Sequence, residues 1–122
     1  MADKNSFIQS VNTGYTFKGE SFVVGAAILN GEVLSEALVR LPLKTLNRHG
    51  LIAGATGTGK TKTLQVIAEG LSNASVPVMV MDIKGDFSGI AEQGSLNDKI
   101  KERYGKMALE YVPGSFPVEL MS

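Results

Sequence analysis

Residues 54–61 read GATGTGKT, and this stretch decides how the rest of the chain is interpreted. It fits the pattern G-x-x-x-x-G-K-[ST] of a phosphate-binding loop. Glycine allows positive φ angles and a close approach of the backbone to a polyanion. Successive N–H groups then form an anion nest at the start of the following helix. The alternative is a glycine-rich loop that binds no ligand.

The predicted nucleotide site extends over the loop and the first residues after it: Gly54, Ala55, Thr56, Gly57, Thr58, Gly59, Lys60, Thr61 and Lys62. Lys60 is the predicted catalytic residue, because this lysine reaches the β- and γ-phosphates in such loops. The hydroxyl group of Thr61 is the predicted ligand of Mg²⁺.

The residues on either side of the loop have the composition of a strand and a helix. Residues 50–54 are predicted to form a short buried strand. The segment from Lys60 to Leu71 is predicted to be a helix, since its apolar residues recur at helical spacing. Strand, loop and helix in this order are the context that the motif requires.

A second candidate for the site is Asp82, which closes the apolar run Val78–Met81. Such a run predicts a buried parallel strand. Ligands bind beyond the carboxyl ends of such strands, so we expect Asp82 and Gly54 at one edge of the sheet. Asp82 is therefore a candidate Mg²⁺ ligand, with a place at the edge of the cleft, away from the metal, as the alternative.

Other segments give a coarser outline of the fold. Residues 1–19 are polar and predicted to be an extension with one short strand. Residues 22–29 and 33–41 are predicted to pair as a hairpin through Asn30-Gly31, with a helix over residues 32–39 as the alternative. We expect a helix over residues 96–104 behind the capping box Ser95-x-x-Asp98, and a third strand over residues 107–112.

Composition excludes several classes of protein. The 122 residues carry 12 basic and 12 acidic side chains, a balance that argues against a general binder of nucleic acids or membrane surfaces. With no cysteine, the chain has no disulfide and no thiolate metal site. No apolar run is long enough for a membrane span, and no signal peptide core is present, so a cytoplasmic location is expected.

Charge is unevenly distributed along the sequence. Between Glu36 and Glu69 there is no acidic residue, while basic residues stand at Arg40, Lys44, Arg48, His49, Lys60 and Lys62. This predicts either a positive field around a polyanion site or simply a solvated basic face.

The segments RLPLKTLNRHGLIA (40–53), GATGTGKTKT (54–63) and VPVMVMDIKGDFSGI (76–90) together resemble the HerA-like and FtsK-like superfamily of P-loop motor ATPases. The nearest likeness is to bacterial HerA-like helicase proteins of uncharacterised function, over roughly residues 22–120. The loop alone does not distinguish this family from other P-loop proteins. The Asn-Arg-His before the loop and the Asp-x-Lys-Gly-Asp after it are what point to this family.

The resemblance implies an α/β fold: a partial parallel sheet of a P-loop NTPase (RecA-like) core with helices, preceded by an N-terminal β-hairpin. It also implies ATP with Mg²⁺ as cofactor, homo-oligomeric rings, and DNA or another polymer as partner. The expected domains are an extension (1–19), the hairpin and linker (20–48) and a partial P-loop ATPase domain (49–122).

Family members are longer and carry an adjacent Asp-Glu pair that is absent from this sequence. We therefore expect an N-terminal portion of a motor that binds ATP and supports hydrolysis only in the full-length protein. The alternatives are a small P-loop phosphotransferase or GTPase, and a non-catalytic nucleotide-binding or assembly module. Two D-x-x-G matches starting at Asp82 and Asp86 suit a GTPase, but no Asn-Lys-x-Asp motif accompanies them.

Overall fold

The computed structural model describes residues 3–121. Its helices and strands are, in chain order, α1 (Lys4–Gly14), β1 (Ser21–Leu29), β2 (Glu32–Pro42), α2 (Lys60–Asn73) and α3 (Asp98–Lys106), with short 3-10 turns at Leu43–Thr45 and Ser88–Ala91. The chain divides into two compact units. One contains the residues up to His49 together with Leu96–Tyr111, and the other contains Gly50–Ser95 together with the residues from Val112 on.

The first unit is built on an antiparallel hairpin of β1 and β2. Asn30 and Gly31 connect the strands with φ angles of 51° and 83°, and two positive φ angles are what a two-residue type I′ turn requires. Next to the turn, Leu29 pairs with Glu32; further along, the register shifts between Ala26 and Ala27. The predicted hairpin is therefore confirmed, and the alternative of a helix over residues 32–39 is wrong.

Helix α1 packs against β2 and makes polar contacts with it. Lys4 Nζ lies 2.7 Å from Glu32 Oε1, and Asn12 Nδ2 donates to the carbonyl oxygen of Glu36 at 3.0 Å. Leu34 and Ala37 of β2 are buried and form the apolar centre. The predicted short strand within residues 1–19 is wrong: most of that segment is helical.

The second unit contains α2, the helix predicted after the glycine-rich loop, and its bounds confirm that prediction. Its C-terminal end is closed by two backbone hydrogen bonds. The N–H of Ser75 donates to the carbonyl oxygen of Ser72, and the N–H of Val76 donates to that of Leu71, both at 2.9 Å. This is the Schellman pattern, and it places Ser75 at the left-handed position, with φ 61°.

The predicted partial parallel sheet of a RecA-like core is wrong. Among residues 3–121, the sheet has two strands, β1 and β2, and they are antiparallel. Residues 50–54, 78–82 and 107–112 join no ladder, and Met79 and Met81 are 79% and 86% exposed. An apolar run shows that a segment suits a pleated surface, but it does not supply a partner strand. A hairpin closes locally, whereas parallel strands need long crossovers.

The third helix begins later than predicted, at Asp98, and ends at Lys106. Its N-cap is Asn97, whose Oδ1 accepts a 2.9 Å hydrogen bond from the N–H of Ile100. The predicted capping box at Ser95 is therefore wrong by two residues, because Asn97 directly precedes the first helical turn and caps it instead.

Candidate functional site

The glycine-rich loop leads directly into α2. Gly57 and Gly59 have φ angles of 80° and 96°, which are strained for residues with a Cβ atom. Gly59 is the N-cap residue, and α2 begins at Lys60. Two of the loop's glycines are thus used where the backbone turns to enter the helix.

The carbonyl oxygen of Ala55 is the centre of the hydrogen bonds within the loop. It accepts from the N–H of Thr58 at 3.3 Å and from the Thr58 hydroxyl at 2.7 Å. It also accepts from Lys60 Nζ at 2.7 Å. The ammonium group of Lys60 therefore folds back over the loop instead of extending into solvent.

Gly54 is needed for a different reason, which is space. A Cβ atom at this position would lie 2.6 Å from Thr58 Oγ1. That hydroxyl is already engaged with the carbonyl oxygen of Ala55, so it cannot move aside without losing a hydrogen bond. The first glycine of the motif thus allows the loop to close on itself.

The predicted site residues form one continuous surface. Gly54, Ala55, Thr56, Gly57, Thr58 and Gly59 are exposed, and so is Lys62, while Lys60 and Thr61 are half-buried. The N–H groups of Lys60, Thr61 and Lys62 lie in the first turn of α2, where a helix offers no carbonyl partner. Free N–H groups, a helix N-terminus and an ammonium group form a donor set that fits a polyphosphate.

Asp82 is used inside its own loop. Its Oδ1 accepts from the N–H of Gly85 at 3.0 Å, and its Oδ2 accepts from the N–H of Phe87 at 2.9 Å. The hydrogen bond from Phe87, followed by those from Gly85 and Asp86, holds the pKa of the Asp82 carboxyl below its usual value. Among residues 3–121, no hydrogen bond or ion pair joins Asp82 to the glycine-rich loop.

The structure brings Thr61 and Asp82 into the same unit but into no common cluster. Nowhere in the described part of the chain do three or more histidine, aspartate or glutamate side chains come together in a way that could hold a metal ion. The Mg²⁺ assignments for Thr61 and Asp82 therefore stay predictions.

Beside α2 lies a cavity of about 400 Å³, which belongs to the second unit. Its walls include Ala68, Val78, Val80, Asp82, Phe87 and Phe116. Ala68 and Phe87 are the buried apolar residues of this unit among those described. In the segment before Asp82, Val78 and Val80 line the cavity and are 41% and 37% exposed, whereas Met79 and Met81 do not line it and are far more exposed.

Sequence reasoning missed two contributors to this region. One is the carbonyl oxygen of Ala55, and the other is Gln65, whose Nε2 lies 3.4 Å from the carbonyl oxygen of Asp86. A backbone carbonyl has no signature in the side-chain sequence, and the Gln65 contact spans 21 residues. Neither could be found from a local pattern.

Comparison with known proteins identifies the family. Residues 28–122 match the family described as Helicase HerA-like C-terminal. The chain belongs to this family, because the match covers most of its length, and the resemblance to HerA-like proteins is confirmed. The matched description is that of a C-terminal region, so the expectation of an N-terminal portion is wrong.

No curated protein and no solved structure matches the chain. As to membranes, the part of the chain that the structure describes has no helix with the length and apolar character that a bilayer crossing demands.

Proposed function

We propose that the loop Gly54–Thr61 binds the phosphates of ATP, and that the chain is the ATP-binding part of a HerA-like motor ATPase. One observation carries this proposal: the phosphate-loop sequence has positive-φ glycines at Gly57 and Gly59 and ends at the first turn of a helix. This arrangement lies inside the family match.

Each residue of the loop has a distinct part in the proposed site. The N–H groups at the start of α2 donate to phosphate oxygens. Lys60 exchanges its hydrogen bond to the carbonyl oxygen of Ala55 for one to a phosphate oxygen, and a charged acceptor makes that exchange favourable. Thr61 supplies a hydroxyl ligand for Mg²⁺. When bound, Mg²⁺ neutralises phosphate charge and favours attack of water on the γ-phosphorus.

We further propose that the isolated chain binds ATP without hydrolysing it. Hydrolysis needs a group that orients or activates water, and the sequence has no adjacent Asp-Glu pair. In this proposal, turnover, ring assembly and action on DNA belong to the full-length motor. The family description supports the motor class, because it names a helicase.

The test is a calorimetric titration with three compounds, each with Mg²⁺: ATP, GTP and inorganic tripolyphosphate. Phosphate release is assayed in the same samples. We expect binding of ATP and tripolyphosphate without phosphate release. Steady release of phosphate from GTP or ATP would contradict the incomplete-motor proposal and favour a self-sufficient NTPase. Binding of no compound would contradict the nucleotide-binding proposal itself.

Oligomer formation separates a motor part from a passive binding module. Sedimentation of the chain with and without ATP·Mg²⁺ reports whether nucleotide drives assembly. Nucleotide-dependent oligomers that show no turnover, even with DNA added, would favour the assembly module over the motor.

A further inference from the structure

The hydrogen bonds of Asp82 organise the loop that follows it. Its two carboxylate oxygens accept from the N–H groups of Gly85 and Phe87, at 3.0 and 2.9 Å. Gly85, the first of these donors, has a left-handed backbone conformation with a φ angle of 71°. One side chain thus fixes the path of residues 83–87.

The fixed loop is joined to α2 by one hydrogen bond and lines one cavity together with it. Gln65 Nε2 of the helix lies 3.4 Å from the carbonyl oxygen of Asp86. The side chain of Phe87 is 8% exposed, and it lines the same cavity as Ala68 of α2, which is 7% exposed. Gln65 lies about 1.4 turns after Lys60 along α2, and Ala68 lies about 2.2 turns after it.

We infer that Asp82 is a positioning residue for the phosphate loop and that it acts through residues 83–87 and α2, not as a ligand of Mg²⁺. This inference rests on the proposed function. Each carboxylate oxygen of Asp82 already accepts a hydrogen bond from a backbone N–H. Removing the carboxylate leaves those N–H groups without their acceptor, releases Phe87, and loosens the side of α2 that follows Lys60.

The experiment compares wild type with Asp82→Ala in two kinds of measurement. The first is amide hydrogen exchange of the nucleotide-free chain by NMR, at Gly85, at Phe87 and at Thr63. The N–H of Thr63 donates to the carbonyl oxygen of Gly59 at 2.9 Å, so it reports on the first turn of α2. The second is ATP affinity, measured once with Mg²⁺ and once with a chelator.

We expect Asp82→Ala to speed exchange at Gly85 and Phe87 by about tenfold or more, since charge-assisted hydrogen bonds are lost. Exchange at Thr63 also rises, and ATP affinity falls by the same factor with and without Mg²⁺. A fall in affinity that occurs only with Mg²⁺ would overturn the inference, because that is how a metal ligand behaves. Unchanged exchange at Thr63 would overturn it too.

Two further variants keep the test decisive. Glu92→Gln is the matched control, since Glu92 is an exposed carboxylate of the same unit, and it should change neither measurement. Gln65→Ala is the gentler variant in case Asp82→Ala does not fold. It should leave Gly85 and Phe87 protected while exchange at Thr63 rises; no rise at Thr63 would contradict the proposed connection.

The two proposals fail in different ways. If wild type binds no ATP, the proposed function falls, whereas the exchange measurements still show whether Asp82 controls the start of α2. If ATP binds and Asp82→Ala changes affinity only with Mg²⁺, the proposed function stands and the positioning role falls.

Discussion

Lys60 Nζ donates a 2.7 Å hydrogen bond to the carbonyl oxygen of Ala55, five residues earlier in the chain. The same oxygen accepts from the hydroxyl of Thr58 at 2.7 Å. These hydrogen bonds shape the loop before any ligand arrives, so less ordering is needed when phosphate binds. The hydrogen bond between Lys60 and Ala55 also places the positive charge of Lys60 at the loop, where it would lie close to a bound polyphosphate.

Gly54→Ala should weaken ATP binding by about fivefold or more, because an overpacked loop costs about 1–3 kcal/mol to hold in its present conformation. The added Cβ would meet Thr58 Oγ1 at 2.6 Å. Calorimetric titration measures the loss. Gly89→Ala is the control, since nothing lies within 4 Å of its added Cβ.

A second substitution tests whether that contact is the cause. Thr58→Ala in the Gly54→Ala background removes the clashing hydroxyl, so part of the lost affinity should return. If the double variant binds ATP no better than Gly54→Ala, the steric explanation is wrong.

Ser75→Gly should stabilise the chain by about 1 kcal/mol, because a left-handed residue with a side chain is strained by about that amount. Ser75 has a φ angle of 61° and closes the end of α2. Urea unfolding gives the change in free energy of unfolding. Ser72→Gly, inside the helix, should instead destabilise by about 0.5 kcal/mol. A loss of stability in Ser75→Gly would contradict this account of the helix end.

Glu69→Gln should stabilise the chain at neutral pH, by no more than about 0.5 kcal/mol because the side chain is partly exposed. Burial raises the pKa of the Glu69 carboxyl, and the charge of Lys62 partly opposes this. As pH rises from the unfolded-state pKa to the folded-state pKa, the unfolded chain releases the Glu69 proton before the folded chain does. The free energy of unfolding therefore falls over this range and stays lower at higher pH.

The advantage of Glu69→Gln should therefore disappear below the unfolded-state pKa of about 4.3, where Glu69 is protonated in both states. Melting temperatures of both proteins across that range check the sign. An advantage that grew on acidification would show that Glu69 is stabilised as a carboxylate in the folded chain.

The parts of the fold that could be predicted are those specified by short stretches of sequence. Asn30-Gly31 favours two positive φ angles, and those angles select a hairpin. The helix after the loop was recognisable because its apolar residues recur on one face through Leu71. In both cases local geometry and local composition lead to the same structure.

The parallel sheet and the N-terminal segment could not be predicted in this way. Val78–Met81 has the composition of a strand, but pairing depends on a partner that the segment itself does not specify. The helix Lys4–Gly14 is supported by contacts with Glu32 and Glu36, more than twenty residues away, and the local sequence does not reveal these contacts.

In the candidate site, too, the features set by local sequence could be predicted and those set by contacts between side chain and backbone could not. The phosphate-loop pattern predicted glycines with positive φ angles followed by a helix, and the backbone has both, at Gly57, Gly59 and Lys60; that the loop binds phosphate stays a prediction. The hydrogen bonds of Asp82 to Gly85 and Phe87 were missed. An aspartate after an apolar run has the same sequence signature whether it binds a metal or its own loop.

The most direct measurement of the central claim is the affinity for ATP·Mg²⁺ of wild type, Lys60→Ala and Lys101→Ala. Lys101 is an exposed lysine of α3 and matches the charge change outside the loop. We predict that wild type and Lys101→Ala bind with the same affinity within about twofold, and that Lys60→Ala binds about tenfold more weakly or worse. Equal affinity in all three proteins, or no binding by wild type, would contradict the claim that this loop holds the phosphates of a nucleotide.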